Sequence, residues 1–234
     1  MNTIFKFAWV AVVLSFTFGT APSWAQTPQT DVEMLALMGD APNEKKLAAL
    51  EVYYELHVSE SIVQHMNERR TGAMFAIQRA QRAEMGADEI AKREKTAKDI
   101  AAEREAKLEA NMALRLKLEQ ISGIEFAENL VMIPDAPMAK PAVPVGVSAD
   151  LIKAQAEAWS ALQVAQSKWQ EQRLIMLEAQ QRYDETRDVP IGDHFRAMTE
   201  AETNYAIAIG ACRMIEARIA AQTGKSIGAV LGGL

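Results

Sequence analysis

Apolar residues at the three-and-four spacing of a helical seam dominate this chain. From Asn43 to Met85 there is no proline, and only Gly72 interrupts. Val52, Leu56, Val63, Met66, Ala73, Ile77 and Ala80 keep the spacing of one helix face. The pattern predicts a helix of roughly 60 Å, capped at its start by Asn43. The stretch "MGADEI" then predicts a tight reversal over 86–88, with Gly86 as a left-handed C-terminal cap, Asp88 as the next N-cap and Glu89 at the positive helix end. A second arm follows to Ser122, its sparse apolar face carried by Ile90, Ala97, Ala101, Leu108, Leu114, Leu118 and Ile121. Its charged middle reads as a solvated face, and Gly123 stops it.

Residues 124–147 hold Pro134, Pro137, Pro141 and Pro144 and read as an extended connector. Ser148 is the expected N-cap of a third helix, where Leu162, Trp169, Met176 and Tyr183 recur every seven residues. Leu151, Ala158, Ala165 and Ala179 form a row of mostly small residues beside them. "ETRDVPIGD" breaks that helix. A fourth restarts near Pro190 or Asp193 with Met198, Tyr205, Cys212 and Ile219 at the same period, and Gly224 ends it. "LKLEQISG" and "ARIAAQTG" close the two pairs, and Ile90–Gly123 matches Ile191–Gly224 in spacing, so the chain reads as a duplicated hairpin. The expected fold is all-α: two long antiparallel helical hairpins in a coiled-coil-like four-helix arrangement. The expected segments are a signal peptide over 1–25, a flexible leader over 26–42 with one turn near 32–38, hairpin 1 over 43–123 and the connector over 124–147. Hairpin 2 then spans 148–223, and a Gly-rich apolar tail spans 224–234.

The N-terminus adds an address. Lys6 precedes an apolar run from Phe7 to Phe18, and Ser23 and Ala25 place small residues at −3 and −1 of a cut before Gln26. This is the pattern of a cleaved secretory signal peptide and predicts a periplasmic protein, with association to the outer membrane left open. A net charge of −6 with no basic stripe excludes a nucleic-acid binder. Membrane contact is expected only through a partner or the C-terminal tail.

The second half also resembles the periplasmic helical repeat of the TolC-like outer membrane efflux proteins. Arg182-Tyr183, Gly192-Asp193, Ala201, Tyr205, Ala208, Ile219 and Gly224 stand at that repeat's positions, and Gly86, Asp88, Leu118 and Gly123 give the first half the same cadence. The resemblance implies a helical envelope component whose hairpin tips meet a periplasmic adaptor. The chain departs from the family in lacking the alternating segments of its barrel strands, so a relative of this kind would not build its own pore. The expected function is therefore a non-enzymatic part of an efflux or secretion complex, acting by coiled-coil contact with an adaptor-like partner or with itself. A helical holdase for exported proteins and a minor extracellular subunit of a secretion apparatus are the alternatives. Partner binding is expected at the tips: Gly86, Ala87, Asp88 and Glu89 in the first, and Arg187, Gly192, Asp193 and His194 in the second. Short polar turns there present helix N-termini to a partner.

Other chemistry reads as absent. Gly224-Lys225-Ser226 ends like a phosphate loop, but Ile219 stands where that loop needs glycine, and a helix precedes it instead of a strand. His57, Glu60, Gln64, His65 and Glu68 share a helix, yet the histidines lie about 80° apart around its axis, so both read as surface residues and no metal is expected. His194 is alone. Met66, Met176, Met198 and Met214 fall at helical spacing as core filler. Trp159 and Trp169 read as packing residues, and Cys212, the single cysteine, as a small buried hydrophobe. No cofactor and no nucleotide are expected.

Overall fold

The computed structural model describes residues 28, 30–126, 142, 144–186 and 191–232. The expected signal peptide, most of the proline-rich connector, and Arg187 and Pro190 lie outside the described residues. Among the described residues there are six helices and no strand: α1 (Asp31–Leu37), α2 (Asn43–Arg82), α3 (Ala87–Ser122), α4 (Ala149–Thr186), α5 (Ile191–Gln222) and α6 (Ile227–Leu231). None of them is long and apolar enough to cross a membrane.

α2 pairs with α3, α4 pairs with α5, and the two hairpins meet through α2 and α5. α2 and α5 run antiparallel, since Tyr54 lies against Gly210 while His65, further along α2, reaches back to Glu202. The seam of hairpin 2 is the expected one. Leu162 is buried with Ala208, Ile209 and Cys212, flanked by Ala158, Ala165 and Tyr205. The Trp169 ring stacks on Tyr205 with centroids 5.3 Å apart, and the Arg173 guanidinium lies 5.6 Å from its centroid.

The helix ends differ in detail from the sequence expectation. Pro42 occupies the N-cap of α2, one residue before Asn43, and its carbonyl accepts the Lys46 amide at 3.1 Å. At the first tip the left-handed residue is Glu84, with φ 51°. The Met85 amide donates to the Ala80 carbonyl at 3.0 Å and the Glu84 amide to Gln81 at 3.2 Å, a Schellman closure. Gly86 is instead the extended N-cap of α3, with φ −57° and ψ 148°, and Asp88 lies inside the first turn. The closure falls two residues earlier because α2 ends at Arg82, so the left-handed C′ position lands on a glutamate. Gly224 closes α5 as expected. Its φ is 69°, and the Lys225 amide returns to Ala220 at 2.9 Å.

The two expected terminal segments are not a loose leader and tail. Thr30 and Glu33 form a capping box that starts α1, and Met34, Leu35 and Met38 are buried. Ser226 caps α6, accepting the Ala229 amide at 3.4 Å, and Ile227 and Leu231 are buried. They pack with Leu50, Tyr53 and Leu56 of α2, Leu118 of α3, Phe126, and Ala217 and Ala220 of α5. This core joins both hairpins at one end, the base, opposite the α2–α3 tip. Each short helix supplies one apolar patch too brief to show a period, and burial against the hairpins supplies its stability.

Candidate interaction site

The first tip is a polar turn on long arms. Gly86, Ala87 and Asp88 are exposed, and Glu89 is half-buried and paired with Arg93 at 3.0 Å. At the second, Gly192 and Asp193 are exposed, His194 is half-buried, and Asp193 lies 3.7 Å from Arg196. The structure thus places the described tip residues at helix starts, with Glu89 and Asp193 paired inside their own helices. From Asn67 to Arg79 no residue of α2 is buried, and Met74 and Phe75 are 50% and 55% exposed. The arm therefore carries surface that the fold does not use.

A groove of about 450 Å³ opens where α3 and α5 flank α2 near the base. Tyr54 and Val58 form its floor, Leu114 and Ile207 its walls, and Glu51 and Glu55 its exposed rim. Gly210 sets the depth. A side-chain carbon there would stand 3.0 Å from Tyr54 Cβ, so any larger residue crowds this approach of α5 to α2.

Two polar clusters fix the frame around the groove, and sequence reasoning did not single out either as a site. At the base, Asp31 is wholly buried; it accepts the Tyr54 hydroxyl proton at 2.7 Å and lies 3.3 Å from Arg213 Nε. Arg213 Nη1 donates to the Leu231 carbonyl at 2.8 Å and stands 3.6 Å from Glu216. One guanidinium thus ties α1, α5 and α6 together, with Tyr54 adding α2. Burial pushes the Glu216 carboxyl above its ordinary range, and the nearby Arg213 opposes that shift. Burial and the adjoining Asp31 also hold the Tyr54 hydroxyl protonated, as the donor it must be. A lone tyrosine or arginine on an apolar face carries no sequence signal of such a partner.

The second cluster corrects the reading of His65. It is not a surface histidine but is 7% exposed in the α2–α5 seam, with Glu68 of its own helix 3.3 Å from Nδ1 and Glu202 of α5 3.3 Å from Nε2. The Glu202 contact is an ion pair out of hydrogen-bond line. Burial pulls the imidazole pKa down, and the two carboxylates outweigh it, so the pKa stands above the ordinary value. The Glu202 carboxyl is correspondingly lowered, chiefly by His65. Glu60 is paired with Arg115 of α3 and acts as a strut between the arms. Among the described residues no group of three or more His, Cys, Asp and Glu side chains could hold a metal ion. Cys212 is buried in the α4–α5 seam, its thiol pushed up to about 11 by burial and by Glu216, which makes it a poor nucleophile at neutral pH.

The chain thus combines a base held by ion pairs, an apolar groove and a long arm with exposed side chains. No protein-family model, curated protein or solved structure matches this chain.

Proposed function

We propose that this chain is a non-enzymatic helical component of a cell-envelope efflux or secretion complex. In this reading it is exported to the periplasm and binds an adaptor-like partner through its hairpin tips. One observation carries the proposal. The principal core is gathered at the base, while the α2 arm has no fully buried residue between Asn67 and Arg79 and leads to the exposed turn at Gly86–Asp88. An arm with so little internal stabilisation is retained for what it touches. The resemblance of the repeats to the TolC-like efflux proteins supplies the class of partner.

The test replaces Ala87, Glu89, Arg187 and His194 together with Ser, leaving Gly86, Gly192, Asp88 and Asp193 in place. Helix content and melting are expected to hold, while capture of envelope proteins by the tagged chain, read by mass spectrometry, falls at least about tenfold. Unchanged capture means that the tips are not the contact. The holdase reading draws on a different observation, the exposed Leu174, Leu177 and Phe195 of hairpin 2. It requires suppression of aggregation of an unfolded client, lost when these three are made polar.

A further inference from the structure

We infer that this protein assembles with itself head to tail, the outer stripe of the α2 arm of one copy lying in the base groove of the next. Two patches of identical spacing on α2 carry the argument. Glu51, Tyr54, Glu55 and Val58 face the groove, and Thr71, Met74, Phe75 and Gln78 form the exposed stripe. The second set is the first displaced by twenty residues. At 3.6 residues per turn that displacement is a rotation of about 200°, so the two patches look out from opposite sides of α2.

Their chemistry is complementary. The groove is apolar within and acidic at its rim, where Glu51 and Glu55 are exposed. The stripe is apolar at Met74 and Phe75 and basic at its flanks. Arg70 borders the same patch, and Arg82 stands seven residues after Phe75, on the same side of the helix. No acidic residue interrupts the sequence from Arg69 to Arg82. An amphipathic helix lying in a groove between two others is a recurrent mode of recognition.

The opposite facing of the patches decides what the contact can build. One straight helix cannot bring its own stripe into its own groove, so the complement must come from a second copy. Using a stripe on one copy and a groove on the other, the contact is heterologous and leaves a free stripe at one end and a free groove at the other. Growth then continues unless the rotation closes a ring. This inference is independent of whether the tips bind an adaptor.

The experiment is sedimentation velocity on the full chain as recovered from cells, over a hundredfold range of concentration. Wild type is expected to show species that grow with concentration and recede when salt is raised, since the flanking charges are exposed. Phe75→Glu spoils only the stripe and Ile207→Glu only the groove. Each variant alone is expected to stay monomeric. Mixed in equal amounts they are expected to give a dimer and nothing larger, because one intact groove meets one intact stripe. Both positions are half or more exposed, at 55% and 51%, so the fold is expected to survive, which circular dichroism checks. As a second arm of the test, Glu51→Arg with Glu55→Arg abolishes assembly, and adding Arg70→Glu with Arg82→Glu restores it. Wild type that stays monomeric overturns the inference. So does assembly that survives either single variant, or two monomeric variants that do not pair on mixing.

Discussion

Replacing Arg213 with Met tests the base as a mechanical unit. The side chain is buried, and three elements depend on it: Asp31 of α1, Glu216 on its own helix, and the Leu231 carbonyl at the end of α6. Methionine keeps the apolar stem and removes the cation. Asp31, wholly buried, then keeps only the Tyr54 hydroxyl and the Val32 amide at 2.8 Å. Removing one partner of a buried ion pair costs about 3–5 kcal/mol, because the remaining charge is stranded. The donor lost to the Leu231 carbonyl lies within that range of loss. Domains are stable by about 5–15 kcal/mol, so the loss is a large share of the whole. With a urea slope of about 3 kcal/mol per molar, the unfolding midpoint falls by about 1–1.7 M. Replacing the set together (Asp31→Leu, Tyr54→Phe, Arg213→Met and Glu216→Leu) leaves no stranded charge and should recover most of the midpoint. A shift below about 0.3 M for Arg213→Met alone, or a fourfold variant no better than the single one, refutes the reasoning.

The His65 bridge gives a pH dependence of definite sign. Its folded pKa is raised above the ordinary 6.5, so its contribution is complete below that value and disappears as pH rises through the folded pKa. Glu202, lowered from 4.5, contributes above 4.5 and loses its share as pH falls through its folded pKa. The melting difference between wild type and His65→Gln should therefore be widest between pH 4.5 and 6.5 and shrink as the pH rises through the folded pKa of His65; a difference constant with pH excludes the bridge. Glu84→Gly should raise stability by about 1 kcal/mol in a denaturant titration, since glycine takes the left-handed position without strain. Gly210→Val should lower stability by at least about 2 kcal/mol, because the added carbons meet Tyr54 where α5 packs on α2. A neutral Gly210→Val would show that α5 can retreat freely.

The arms were legible because period is a long-range signal. Leu162, Trp169 and Met176 repeat over enough turns to fix a face, and Gly123 and Gly224 mark stops whose positive φ values the structure bears out. What escaped was set by contacts rather than by period. α1 has seven residues and α6 has five, too few to register a period, and their burial depends on surfaces far away in sequence. Asp31, Arg213 and Glu216 carry no sequence signal of burial, because the cluster they form joins different elements. His65 was misread for the same reason, since its burial comes from α5. At the first tip the glycine drew the left-handed assignment to itself, whereas the helix ended early enough to leave that conformation to Glu84. The groove had no signal at all. It arises from Gly210 meeting Tyr54, a coincidence of two helices far apart along the chain.

The Arg213 clamp also sets when the protein can finish folding. It joins Asp31 to Leu231, and these stand two hundred residues apart. The arms close through contacts local to each hairpin and can form while the rest of the chain is still being made. The base cannot, because its last hydrogen bond awaits the α6 carbonyl and its buried acid awaits an arginine near the end of α5. Such contacts between distant parts of the chain form after the local ones. A polypeptide that stops short of α6 leaves Arg213 without its carbonyl partner and uncovers the part of α1 against which α6 packs.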